Sequence, residues 1–259
     1  MSHVPATAQP IDLPKPGVLD IPRGAWRLLR VLLHILWGMV VLYTVWGSYD
    51  TARRRQTNQR WAQGMLRVLG VRLQVEGQVH AGGKLIVANH VSWLDIIAIN
   101  ATHPSRFVSK AEVANWPVVG RLVDAAETLY LVREKRRDAM RVMGLMSQAL
   151  SQGDTVAVFP EGTTGSGHGV MHFHGNLLQC AIDADMPIQP VALRYSDAQH
   201  AISPAPAYIG DVTLMQSLWW VVTARGLSVR VRLLPPQACS HAERRELAET
   251  LHGQISAAL

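Results

Sequence analysis

His90 and Asp95 stand five residues apart in LIVANHVSWLD, residues 85–95. An imidazole beside a carboxylate is the simplest side-chain pair that can move a proton in neutral water. If the carboxylate holds one ring nitrogen, the other is left to take a proton from a hydroxyl. Spacing limits how the two can meet, because residues i and i+5 on one helix point about 140° apart. His90 must therefore sit in the turn before a helix that starts near Ser92, with Asp95 in its first turn. The same stretch also reads as a helix start, with Ser92 as N-cap and Asp95 as an acid in the first turn. Both readings can hold together.

A second reactive stretch is TVAVFPEGTTG, residues 155–165. Pro160 stops a strand, Gly162 permits a tight turn, and Glu161 follows the strand with the hydroxyls of Thr163 and Thr164 close behind. Such a turn can offer backbone N–H groups to an oxygen-rich ligand, although an ordinary exposed turn has the same composition. His168, His172 and His174 have a spacing that metal ligands can adopt, but no Cys or carboxylate accompanies them and no metal is expected. Arg133, Lys135, Arg136, Arg137 and Arg141 form a dense basic run that reads either as a phosphate-attracting patch or as a solvated helix face.

Elements must position these groups. Apolar runs at Lys84–Ala88, Arg106–Ser109, Thr128–Val132, Thr155–Phe159, Ile188–Leu193 and Val229–Leu233 read as strands. Ser92–Asn100, Arg136–Ser151, Asn176–Asp185 and His241–Ala257 read as helices. The alternation predicts an α/β fold with a mostly parallel central sheet flanked by helices. In such a sheet, ligand groups gather beyond the carboxyl ends of the strands, where both reactive stretches fall.

The chain has 259 residues, 48% of them hydrophobic, with only two Cys and a formal charge of +6. That excludes a disordered polyelectrolyte and a disulfide scaffold. The charge asks for an anionic partner. Residues 1–25 carry five Pro and read as a mobile tail. The stretch 31–47, VLLHILWGMVVLYTVWG, would rise about 26 Å as a helix, slightly short of a hydrocarbon core of about 30 Å. Lys15, Arg23, Arg27 and Arg30 precede it and Arg53, Arg54, Arg55 and Arg60 follow it, a symmetric basic frame that suits a helix entering one leaflet. Trp61, Met65, Leu66 and Leu69 then mark an amphipathic helix that fits a membrane interface. Trp219 and Trp220 fit either core or a second interfacial contact. The basic residues are not interleaved with stacking aromatics, so nucleic acid is not the expected partner.

The ordered blocks NHVSWLD, FVSKAEVANWPVVGRL (107–122), FPEGT and MPIQPVAL (186–193) together resemble the glycerolipid acyltransferases of the 1-acylglycerol-3-phosphate acyltransferase type, over roughly residues 60–235. The resemblance implies that His90 is the general base on an acceptor hydroxyl, that Asp95 orients it, and that an acyl thioester is attacked directly with no metal. It implies that Glu161 and Gly162, with Thr163 and Thr164, help bind the acceptor head, and that Arg133 contacts its phosphate. Lys110, Glu112, Pro117 and Gly120 correspond to a further family segment, with Lys110 on the substrate side. The family usually reads FPEGTRS, whereas Thr164 and Gly165 stand here in place of Arg and Ser; FPEGTT is similar to members acting on other lysolipids, lyso-ornithine lipid among them.

The implied organisation is a tail (1–25), membrane-associated helices (26–70) and an α/β acyltransferase domain (71–259) facing the cytoplasm at the inner membrane. Its partners would be a lysolipid acceptor, an acyl-CoA or acyl-carrier-protein donor, and an anionic membrane surface, with no bound cofactor. A thioesterase or lysolipid hydrolase, in which the same His activates water, is the rival enzyme. An inactive membrane-anchored binding protein is the rival of another class.

Overall fold

Short runs, buried on both faces at the centre and exposed at the β1 edge, pair into one seven-stranded sheet. The computed structural model describes residues 16–116, 119–131 and 136–259. The strands are β1 (Arg72–Glu76), β2 (Lys84–Ala88), β3 (Arg106–Lys110), β4 (Leu129–Leu131), β5 (Thr155–Val158), β6 (Ile188–Ser196) and β7 (Ser228–Leu233). Their order is β1-β7-β6-β2-β5-β3-β4. Only β6 and β7 pair antiparallel; the other neighbours are parallel. The expected α/β fold is present. β1 has no counterpart among the expected strands, because as an exposed edge strand it carries Arg72, Gln74 and Glu76 rather than an apolar run.

Alternation along the strands splits the core in two. Ile86, Ala88 and Ala157 face a layer built from α1 (Asp20–Thr44), α2 (Thr51–Leu69), α3 (Leu94–Thr102) and α7 (Leu214–Thr223). Leu85, Val87, Val156 and Val158 face the opposite layer of α5 (Arg136–Ser151), α6 (Gln179–Asp183) and α8 (Arg244–Ala258). A parallel sheet needs both covers, since each of its faces is apolar. The short α4 (Val119–Ala125) is likewise absent from the sequence expectation; it touches α1.

The N-terminal region departs from expectation in three ways. The helix begins at Asp20, inside the segment read as a tail, because Asp20 accepts the Gly17 N–H at 2.9 Å and binds Arg23 and Arg225, each at 2.7 Å. Residues 1–15 lie outside the described residues. Second, the apolar side of α2 does not face outward: Ala62, Met65, Leu66 and Leu69 are core residues, and Trp61 stacks on His34 of α1 at 5.3 Å. Third, much of the basic frame is spent inside the protein. Arg23 donates to the carbonyl of Thr223, and Arg27 to those of Val222 (2.9 Å) and Ala224 (3.0 Å), so both neutralise the C-terminal end of α7. Arg55 pairs with Asp154.

The outward apolar surface is instead on α1. Ile21, Trp26, Leu29, Leu32, Leu33, Leu36, Trp37, Val40 and Tyr43 form one exposed stripe at helical spacing, with Trp37 at 63% and Tyr43 at 72% exposure. The other face of α1 packs closely on its neighbours. A Cβ at Gly38 would lie 2.6 Å from the Trp61 ring, so only glycine allows this approach. Trp219 packs against the same helix beside Gly24, which makes it core on that side.

Candidate active site

β2 delivers Asn89 and His90 to the carboxyl edge of the sheet. Asn89 is buried and exchanges two hydrogen bonds with Leu193 of β6, at 2.9 and 2.8 Å, which fixes the strand exit. His90 then leaves the ladder in a turn, and α3 starts at Leu94. The helix start differs from the expected N-cap at Ser92. Its hydroxyl is buried without a partner among the described residues, while the Asp95 carboxylate closes the turn from within the helix. Asp95 Oδ2 accepts the backbone N–H of Val91 (2.6 Å) and of Ser92 (2.9 Å), and also pairs with His90 Nδ1 at 2.8 Å. Asp95 thus closes the turn before the helix and holds the imidazole, whereas the N-cap expected at Ser92 falls at Trp93 and makes no side-chain cap.

Asp95 is fully buried, and its other oxygen, Oδ1, accepts the hydroxyl of Tyr195 at 2.7 Å. Four donors hold this carboxylate, so its buried oxygens are hydrogen-bonded. Burial, with the Asp95 charge adding to it, raises the Tyr195 hydroxyl well above its usual range, so Tyr195 remains a donor. Sequence reasoning misses Tyr195. The available signal is a Tyr in the buried run of β6, since an interior phenol needs a partner.

With Nδ1 committed to Asp95, the His90 ring presents Nε2 as its free acceptor, and the side chain is 19% exposed. The ring lies flat on Phe159, with centroids 4.0 Å apart and planes 9° apart. Phe159 in turn stacks on Phe107 of β3 at 5.9 Å. The imidazole can therefore neither rotate away from Asp95 nor tilt freely.

Glu161 is held by backbone partners on both of its oxygens. It is 5% exposed, and both of its oxygens are taken by backbone N–H groups, Oε1 by His90 at 2.6 Å and Oε2 by Met171 at 2.9 Å. Burial raises its carboxyl above the ordinary value, and those two backbone bonds oppose the rise. Glu161 is a clamp between the His90 turn and the loop at 170–174. The Gly165 N–H adds a third tie, to the His90 carbonyl at 2.8 Å. Gly162 has a φ of 71°, which its lack of a side chain permits. The Thr164 hydroxyl donates to the Tyr208 carbonyl, so it serves the loop, while Thr163 is exposed at the rim.

The remaining candidates divide by placement. Lys110 ends β3 at the same sheet edge, but its side chain lies outside the described residues, as do Pro117, Arg133 and Lys135. Glu112 is exposed in a short 3₁₀ turn, and Gly120 sits in α4. His172 and His174 meet edge-on at 5.4 Å. Among the described residues no group of three or more His, Cys, Asp or Glu could hold a metal ion.

A hydrogen-bonded His-Asp pair at the ends of parallel strands can deprotonate a hydroxyl for attack on an acyl carbonyl. Known proteins agree with that chemistry. Residues 71–194 match the family model described as Acyltransferase. The chain is 40% identical over 171 residues to a 1-acyl-sn-glycerol-3-phosphate acyltransferase of Neisseria meningitidis, covering 65% of this chain and 67% of the relative. It is 34% identical over 213 residues to a lyso-ornithine lipid O-acyltransferase of Pseudomonas aeruginosa, covering 82% of each. This chain belongs to the acyltransferase family. Its fold is that of the crystal structure of the 1-acyl-sn-glycerophosphate acyltransferase PlsC from Thermotoga maritima, with a TM-score of 0.72, 20% identity, and coverage of 93% and 95%. The matched span of this acyltransferase includes the strands β2 and β5, after which His90 and Glu161 stand.

Proposed function

We propose that this acyltransferase moves a fatty acyl group from an acyl thioester to the free hydroxyl of a lysolipid, with 1-acyl-sn-glycerol-3-phosphate as the acceptor and phosphatidic acid as the product. The observation that carries the reading is the His90 ring, locked by Asp95 at 2.8 Å and by Phe159, with Nε2 left open at the sheet edge. Nε2 takes the proton of the acceptor hydroxyl as its oxygen attacks the thioester carbonyl. The C–S bond then breaks, and the leaving thiolate takes the proton back from Nε2. Asp95 holds the ring in the tautomer that this needs and stabilises the imidazolium between the two transfers. Neither a metal nor an acyl-enzyme enters the scheme.

The exposed stripe of α1 supports attachment to one leaflet, on the cytoplasmic side of the inner membrane, which would hold His90 near the height of lipid headgroups. A lysolipid could then enter sideways while the donor arrives from water. The acceptor identity is supported by the activity for which the Neisseria relative is named. A second acceptor, lyso-ornithine lipid, is favoured by Thr164, whose hydroxyl is turned to Tyr208 where a phosphate-binding guanidinium would be expected. The wider match to the Pseudomonas relative also favours it.

Purified protein in mixed micelles, given one acyl-CoA and a panel of lysolipids, separates the acceptors. His90→Ala is expected to lose acyl transfer by at least about a thousandfold while keeping vesicle binding. Transfer retained in that variant would overturn the mechanism. Release of free fatty acid without any acceptor would favour a hydrolase instead.

A further inference from the structure

A cavity of about 540 Å³ lies between the 172–176 segment and the first turns of α8, outside the His90 site. His172, Arg244, Arg245 and His252 line it, together with Phe173 and Glu249. Glu249 pairs with Arg245 at 3.3 Å across an exposed turn, whereas Arg244 has no ion-pair partner among the described residues. The walls are held in place. His252 contacts the Val170 carbonyl through Nε2 at 3.1 Å and meets the buried Phe173 ring edge-on at 5.4 Å.

The wall of the cavity is tied by contacts to the His90 turn. His172 follows Met171, whose N–H is bound by Glu161, and Glu161 binds the backbone of His90. His172 touches His174, which lies against Gly162. Position relative to the sheet matters as much. α8 belongs to the layer opposite α1, so the cavity opens on the side away from the exposed apolar stripe. A ligand entering there comes from water rather than from lipid, and a rim of two guanidiniums and two imidazoles against the single carboxylate of Glu249 favours phosphate.

We infer that this cavity receives the phosphate groups of the nucleotide part of an acyl-CoA donor, with Arg244 and Arg245 as their principal contacts. The inference rests on the acyltransferase reading above and adds to it the place where the donor's phosphates are held and their side of approach. A water-soluble thioester carrying three phosphates fits the charge, the volume and the aqueous face. An acyl chain would follow its thioester toward His90.

The test compares wild type with Arg244→Ala/Arg245→Ala, using palmitoyl-CoA, palmitoyl-3′-dephospho-CoA and S-palmitoyl-pantetheine as donors with a fixed lysolipid. The variant's KM for palmitoyl-CoA should rise about ten- to a hundredfold, the loss of one or two charge-assisted contacts. The rise should be smaller for the dephospho donor and less than twofold for the pantetheine donor. His172→Asn provides an independent change in the same wall and should raise only the CoA-donor KM. An unchanged KM for palmitoyl-CoA in both variants, or an equal rise for the pantetheine donor, would overturn the site. Wild-type protein that ignores every CoA thioester but accepts acyl-carrier protein would instead refute the donor class, before any variant is measured.

Discussion

Glu161→Gln separates a clamp from a ligand-binding carboxylate. In the structure its two oxygens accept one N–H each, from His90 and from Met171. Gln keeps one carbonyl oxygen and turns an NH₂ group toward the other N–H, so one of the two loops loses its anchor. A hydrogen bond to a charged acceptor contributes about 1.5–3 kcal/mol. If that stability is what holds His90 against Phe159 and Asp95, kcat/KM should fall about ten- to a hundredfold, at about 1.4 kcal/mol per factor of ten. Stability should behave differently. Burial raises the Glu161 carboxyl in the folded protein, so the folded state gives up stability as pH rises from the ordinary Glu value, near 4.3, through the raised one. Gln carries no charge and avoids that loss. The Tm of the variant minus that of wild type should therefore increase with pH over that window and level off above it. Kinetics across the lysolipid panel and calorimetry at a series of pH values check both halves. A kcat/KM within threefold of wild type, or a rise only in the acceptor's KM, would return Glu161 to headgroup binding. A Tm difference that shrinks with rising pH would refute the burial argument.

Tyr195→Phe removes one of the four donors on Asp95 and leaves the ring in place. The expected loss is about tenfold in kcat with little change in either KM, since the hydroxyl orients Asp95 and touches no substrate. His103 is held near a pKa of about 4 by burial, with the charges of Lys84 and Arg55 adding to it, while Lys84 is itself lowered to about 8 by burial. Its contribution to stability is present above pH 6.5 and is lost as pH falls toward 4, because the unfolded chain binds the proton first. His103→Gln should reduce the drop in Tm between pH 6.5 and 4 by at least about 2–4 °C, measured against wild type. On α1, Leu33→Glu with Trp37→Glu places two charges on the exposed stripe. Binding to anionic vesicles in a flotation assay should fall by at least about a hundredfold, with the circular dichroism spectrum unchanged.

What can be read from the sequence follows from range. The strands β2, β5 and β6 are visible because a sheet covered on both faces needs apolar runs. His90 and Asp95 are legible as a pair because their turn is local. Tyr195 is 100 residues from Asp95, and no local pattern announces that contact. Glu161 draws attention by type and position, yet its bonds to the backbone of His90 and Met171 are not legible, since a carboxylate aimed at backbone N–H groups looks the same in sequence as one aimed at a ligand. α2 departs from expectation for a related reason. Amphipathic periodicity gives the direction of an apolar face but cannot say whether protein or lipid covers it, and here α3 and α1 do.

The same ambiguity governs the positive charge. Arg23 and Arg27 cap α7, and Arg55 and Arg106 both hold Asp154, the latter at 3.0 Å. These four guanidiniums are fixed by internal partners, and the proposed membrane contact is then expected to rest mainly on the apolar stripe of α1, although Arg30, Arg53 and Arg60 stay exposed. If so, vesicle binding should depend weakly on salt, because screening over about 8–10 Å acts on charge and not on buried apolar area. The opposite layer shows the complement, with Arg244 free of an internal ion pair among the described residues, beside a cavity that faces away from α1. On the proposed reading, Arg23, Arg27 and Arg55 serve folding beside the face that meets lipid, and Arg244 stands on the face that meets water. A steep loss of vesicle affinity on raising salt from about 50 to about 500 mM, over which the screening length shortens severalfold, would break this division, for it would mean that the arginines of the α1 layer, rather than its leucines and tryptophans, hold the enzyme to the membrane.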